Sequence, residues 1–126
     1  MSPKSLWGNL DEFKKIKTPL SIVREQGALL TQETKGILRG EVKINATGEN
    51  ISFSFFIIAM QLNRYKYLAL QVEHDVFIYP VKVYSGIHEK WTECRDEASF
   101  LARIESILSS LEMKTIIESL LSQSES

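Results

Sequence analysis

Two histidines, an aspartate and the single cysteine are the residues of this chain whose types could do chemistry. His74 and Asp75 stand in the segment EHD, His88 precedes Glu89, and Cys94 closes the segment KWTEC. Imidazole and carboxylate groups bind metals or exchange protons when a fold brings them together. The sequence predicts a strand between the two histidines, which would place their rings near its opposite ends. Their spacing also lacks the tight pattern of zinc motifs, so we predict no metal site.

Turn formation is the other interpretation of His74 and Asp75. An aspartate that precedes a strand commonly accepts a hydrogen bond from the main chain two residues further on. In that case Asp75 shapes the chain and takes no part in a reaction.

Cys94 also has two interpretations. It lies just before the helix that we predict to begin after Asp96, and the positive end of that helix would favour a thiolate. A nucleophilic role would further require a histidine beside the thiol. A small cysteine at the end of a strand more commonly fills space in a core.

The sequence contains no other pattern typical of catalysis or cofactor binding. The six glycines are scattered singly, so there is no glycine-rich phosphate loop, and no serine stands in a G-x-S-x-G turn. Tyr65 and Tyr67, flanked by Arg64 and Lys66, could stack bases as RNA-binding sheets do. However, the matching RNP pattern is absent, and a net charge of −1 is unlike the strongly basic domains that bind nucleic acid. We predict neither a cofactor nor a nucleic-acid partner.

The composition is that of one soluble domain. The chain has 126 residues, of which 44% are hydrophobic and 25% charged, and this length suffices to bury a core. Its longest apolar run is about half the length of a membrane-spanning helix, and the N-terminus has no signal-peptide h-region. A single cysteine allows no internal disulfide. These features predict a cytoplasmic protein without a membrane partner.

The pattern of apolar residues predicts an α+β fold. Thr18 can cap a helix that begins at Pro19 and ends near Gly36, and Gly27 inside it indicates close approach of a neighbouring backbone. Strands are predicted next at about 38–46, 53–60, 63–75, 76–86 and, less clearly, 90–94. Short linkers between them indicate an antiparallel four- or five-stranded meander, and Asp96 then caps the first of one or two C-terminal helices. This element order resembles cystatin-like folds, in which a curled sheet wraps a helix.

The chain divides into three predicted parts. Residues 1–17 form an N-terminal arm, in which Leu6, Trp7, Leu10 and Phe13 could dock a short helix capped by Asn9 on the body. Residues 18–122 form a single α+β domain, and residues 123–126 a frayed C-terminal tail.

The second strand raises the question of what covers its second face. In FSFFIIAM, Phe53 and Phe55 alternate with Ser54, but the residues from Phe56 onward leave neither face polar. Large exposed apolar patches are rare on monomers, so either the three helices cover both faces of the sheet or another chain covers one. We predict an interface formed by seven residues. They are Phe56, Ile58, Met60, Tyr65, Tyr67, Ile22 and Leu29.

The sequence therefore favours a non-enzymatic protein-interaction module that forms a homodimer or binds a protein partner. Adaptors, immunity- or antitoxin-type inhibitors and chaperone-like proteins are of this size and lack catalytic motifs. The alternative is a small-molecule binding protein or small hydrolase with a pocket between sheet and helix. Its polar groups would be His74, Asp75, His88 and Cys94.

Overall fold

A computed structural model describes residues 4–125 of the chain, without the side chain of Thr47. The described residues form nine elements: one 3-10 turn at Leu10–Glu12, three helices and five strands. The helices are α1 (Pro19–Glu33), α2 (Glu97–Leu108) and α3 (Leu111–Ser124). The strands are β1 (Leu38–Thr47), β2 (Asn50–Ala59), β3 (Tyr65–His74), β4 (Val81–Ser85) and β5 (Lys90–Cys94). They form one antiparallel sheet in the order β1-β2-β3-β4-β5, which confirms the predicted α+β meander.

Each helix begins where a side chain can accept from its free main-chain N–H groups. Thr18 accepts from the N–H of Ser21 at 3.2 Å with Pro19 in the first turn, and Asp96 accepts from that of Ser99 at 2.8 Å. Ser110 accepts from Met113 and starts a separate third helix. The C-terminal region is therefore two helices, and α3 continues to Ser124, into the segment predicted to fray.

Helix α1 lies directly on β1 because two glycines meet there. A Cβ atom on Gly40 would overlap the Cα of Gly27 and come within 2.9 Å of its carbonyl oxygen. The close backbone approach predicted from Gly27 is confirmed. Thr31 joins the same two residues, since its hydroxyl donates to the Gly27 carbonyl and accepts from the Gly40 N–H.

All three helices pack on one face of the sheet. A single core cluster joins α1, α2 and α3 to alternate residues of β2, namely Phe53, Phe55, Ile57 and Ala59. Ile58 is fully buried but does not belong to that cluster. The intervening residues of β2 therefore point to the opposite side, which we call the helix-free face.

A bulge in β3 changes which of its residues share a face. Phe55 pairs with Leu70 while its neighbour Phe56 pairs with Leu68, so Ala69 is an extra residue. Strict alternation along NRYKYLALQVEHD predicts Leu68, Leu70 and Val72 on one face. That prediction is wrong, because the bulge places Leu68 on the helix-free face and Leu70 in the core.

Strand β4 is shorter than predicted. Residues 76–80 form a turn in which Ile78 has a φ of 76° and the Tyr79–Pro80 peptide bond is cis. The strand begins only at Val81. Pro80 therefore lies in the turn before β4.

The described part of the N-terminal arm stays on the outside. Its residues 4–17 are all exposed, including Trp7 and Phe13, so the predicted docking on the body is not observed. Asn9 does cap the short turn, by accepting from the N–H of Asp11. Across residues 4–125, no helix combines the length and apolar character that crossing a membrane requires.

Candidate functional site

His74 and Asp75 form the turn between β3 and β4. The Asp75 carboxylate accepts from the N–H of Phe77 at 2.8 Å, and the His74 Nδ1 atom lies 2.7 Å from the Asp75 carbonyl oxygen. Both side chains satisfy main-chain groups of their own turn. The turn interpretation accounts for both residues.

His88 lies at the other end of β4. Glu73 pairs with Lys82 and Leu70 pairs with Ser85, so His74 closes β3 at one end of the sheet and His88 follows β4 at the opposite end. No cluster of three or more metal-binding side chains exists within the part of the chain that the structure describes. The fold therefore separates the two histidines rather than joining them.

At this second end of the sheet His88 meets a serine and a glutamate, and the sequence reasoning missed both. His88 Nδ1 lies 2.8 Å from Ser85 Oγ, which also accepts from the His88 N–H at 3.1 Å. His88 Nε2 lies 3.7 Å from the Glu112 carboxylate in the first turn of α3. Ser85 is fully buried, so a substrate could not reach its hydroxyl. The three residues tie the β4–β5 turn to α3.

Cys94 is a core residue whose thiol is shielded from solvent. Its side chain is 2% exposed, and burial raises the pKa of the thiol, with Asp96 and Glu93 adding to this effect and Arg103 opposing it. The predicted activation by the start of α2 is outweighed by the loss of solvent. The space-filling interpretation of Cys94 fits the structure.

The four proposed pocket residues therefore do not form one pocket. His74 and Asp75 shape one turn, His88 belongs to another, and Cys94 is enclosed in the core. A shallow cavity of about 460 Å³ does lie between β3 and α3, but Leu62, Tyr65, Tyr67, Ile116 and Leu120 supply most of its lining, with Ser119 and Gln123. None of the four residues lines it.

The seven predicted interface residues are divided between the two sides of the sheet. Phe56 and Ile58 point to the helix-free face, where Met60 follows them and its sulfur accepts from Arg64 at 3.7 Å. Tyr65 and Tyr67 pair with Ala59 and Ile57 and so lie on the helix side. The prediction of one continuous face around all five is wrong. The helices pack on the side of the odd-numbered β2 residues, and the two tyrosines share that side.

The two helix residues in the predicted interface also differ. Ile22 is 2% exposed inside the core, so it has no surface to offer a partner. Leu29 is 44% exposed and lines a groove of about 220 Å³ between α1 and α3. Only Leu29 of this pair is accessible.

The helix-free face has an apolar centre that the sequence only partly predicted. Phe56 stands opposite Leu68 on β3, and Tyr84 stands opposite Trp91 on β5. The rings of Tyr84 and Trp91 are 5.2 Å apart and tilted by 50°. We call these four residues the aromatic patch. Trp91 is 47% exposed, and only the strand register shows that it belongs to this face.

Charged residues of both signs surround the aromatic patch. On one side the Lys66 ammonium lies 5.6 Å from the centre of the Phe56 ring, and Arg64 pairs with Glu41 at 3.5 Å. On the other side the register aligns Glu73, Lys82 and Glu93 across three strands. An apolar aromatic centre with a charged rim is the usual composition of a protein-binding surface.

Comparison with known proteins gives no relative for this arrangement. No protein-family model, no curated protein and no solved structure matches the chain.

Proposed function

We propose that this protein is a non-enzymatic protein-interaction module and that the helix-free face of its sheet is the binding surface. The partner is a second copy of the chain or another protein. Adaptors, inhibitors of the immunity or antitoxin type and chaperone-like proteins all act through surfaces of this kind.

One observation carries the proposal: three helices pack on the same face and none covers the aromatic patch, in which Trp91 is exposed and Phe56, Leu68 and Tyr84 are half-buried. A sheet that is closed by helices on one side can present the other side to a partner without unfolding any of its own core. Tryptophan and tyrosine at the centre of a surface are also the residues that most commonly dominate binding energy.

The polar neighbours of the patch support a protein partner over a small molecule. Gln71 donates to Ser54 at 3.0 Å, which leaves the patch flanked by a satisfied polar pair. The nearby depression around Lys82 and Trp91 is open and mostly charged, whereas small-molecule sites are concave and mostly apolar. A broad, slightly polar surface suits a partner of comparable size.

Photo-crosslinking from the patch tests the proposal. Benzoylphenylalanine replaces Tyr84 in one variant and Leu101, an exposed residue of α2 on the helix side, in a matched control. We expect a discrete crosslinked species from Tyr84, formed with a second copy in pure protein or with another protein in native extract. Trp91→Ala should reduce that species by about tenfold or more at limiting concentration.

Two results would overturn the proposal. One is that Tyr84 gives no more crosslinked product than Leu101 in either sample, while circular dichroism shows both variants folded. The other is that Trp91→Ala leaves the product unchanged.

A further inference from the structure

Strand β1 lies at the edge of the sheet, and its two halves differ in how their outward main-chain groups are bonded. At Leu38 the hydroxyl of Thr34 accepts from the main-chain N–H at 3.1 Å and lies 3.0 Å from the carbonyl oxygen. At Gly40 the hydroxyl of Thr31 accepts from the N–H at 3.2 Å. Helix α1 therefore covers the first half of the edge, which is a common protection against pairing with another chain.

The main-chain groups that α1 covers belong to even-numbered residues. The odd-numbered Ile37 instead directs its carbonyl toward the next strand, where it accepts from Met60. Alternate residues of an edge strand direct their N–H and C=O groups away from the sheet. Val42, Ile44 and Ala46 therefore continue the outward series that Leu38 and Gly40 begin, beyond the half that α1 covers. Within residues 4–125, no group outside the sheet bonds to these three.

We infer that the second half of β1 pairs antiparallel with the same segment of a second copy. Centred on Ile44, this pairing sets Ile44 opposite the partner's Ile44 and Val42 opposite the partner's Ala46. Six main-chain hydrogen bonds then use every outward group of the three residues. The side chains of the same residues lie on the helix side, where Ile44 is 46% exposed, and the pairing covers them with their own symmetry mates.

Other registers use fewer of these groups. Centring the pair on Val42 would need the N–H groups of Leu38 and Gly40, which the threonines already occupy. Centring it on Lys43 would set two lysines directly opposite each other, which is destabilising. In the register centred on Ile44, Lys43 stands opposite the partner's Asn45. The charges therefore favour the same register as the hydrogen bonds.

The resulting dimer has a two-fold axis perpendicular to the sheet. It joins two five-stranded sheets edge to edge and keeps both helix-free faces on the same side. The two aromatic patches then belong to one ten-stranded surface that could bind a partner at two points. The edge pairing does not depend on the proposed function of that surface. Because it covers only five residues of each chain, we expect weak association in the micromolar range.

The position of Ile44 on the two-fold axis gives a direct test. Ile44→Lys and Ile44→Glu each set like charges opposite each other, so each variant alone should be monomeric in sedimentation equilibrium. Mixed in equal amounts, they set lysine opposite glutamate, so the mixture should recover the dimer seen with the unmodified chain. Recovery in the mixture also shows that both variants are folded.

Two controls separate this inference from the proposed function. Leu101→Lys and Leu101→Glu, at an exposed position of α2, should leave the dimer unchanged. In a Trp91→Ala background, which weakens any association through the aromatic patch, the same dependence on Ile44 should remain. An unmodified chain that stays monomeric throughout the micromolar range would overturn the inference. So would a dimer that persists in the separate Ile44 variants, or a mixture that fails to associate. The crosslinking yield from Tyr84 tests the proposed function separately, and none of these outcomes depends on it.

Discussion

The two faces of the sheet are built from the same strands but bury their apolar residues by different means. On the helix side, Phe53 is 1% exposed beneath packed helices. On the helix-free side, Ile58 is equally buried without any helix, and its neighbours in register are Arg39 and Lys66. Long charged side chains can cover an apolar neighbour with their methylene stems. Complete burial of a side chain therefore does not show that it belongs to the helix-covered core. Partly exposed apolar side chains on the face without helices are the better sign of a binding surface.

The largest expected difference between the faces comes from two phenylalanines of one strand. Phe53→Ala should cost about 4 kcal/mol of unfolding free energy, because it leaves a cavity among the helices. Phe56→Ala should cost about 1 kcal/mol, because solvent can occupy the space that it leaves. Urea unfolding of both variants measures this, and equal losses would show that the helix-free face is as tightly packed as the core.

The contact between α1 and β1 should give the next largest effect. Gly40→Ala places a methyl group against the backbone of Gly27, and we expect a loss of about 3 kcal/mol as the helix is forced away from the strand. Gly48→Ala is the control, because Gly48 has a φ of 61° but open space around it. Its cost should be about 1 kcal/mol, from backbone strain alone. A Gly40 variant as stable as the Gly48 variant would contradict the close contact.

A smaller effect is expected where α1 covers the edge of β1. Thr31→Val keeps the shape of the side chain but removes the hydroxyl that joins Gly27 to Gly40. The loss should be about 1 kcal/mol, since one main-chain N–H loses its acceptor. Thr115→Val is a suitable control, because the Thr115 hydroxyl donates only to its own helix. Equal thermal shifts in the two variants would show that the link across to β1 adds nothing.

Much of the helix-covered side could be predicted from the sequence because its signals are local. The caps at Thr18 and Asp96 and the close approach at Gly27 depend on residues within a few positions of each other. The order of the strands followed from their short linkers. Each of these features is visible in a short stretch of sequence.

The helix-free side could not be predicted in the same way because its composition depends on register. The bulge at Ala69 moves Leu68 to the side opposite Leu70, and no residue type marks it in advance. Trp91 on β5 joins the patch only through its pairing with Tyr84 on β4. Which face the three helices cover likewise depends on the packing of the whole domain. The predicted interface therefore combined residues from both sides.

The smallest expected effect concerns neither face but the exposed start of α2. Hydrogen bonds from the main chain and side chain of Ser99 hold the pKa of the Asp96 carboxyl below its usual value. Because the folded state therefore binds this proton less tightly than the unfolded state, the stabilisation is complete above the unfolded pKa of about 3.9 and disappears as the pH falls through the folded pKa. Asp96→Asn keeps an oxygen that can cap the helix but removes the titration. The difference in urea midpoint between the unmodified chain and this variant should be constant near neutral pH and shrink in acid. Midpoints that fall in parallel for both proteins would show that other carboxyl groups determine the acid response.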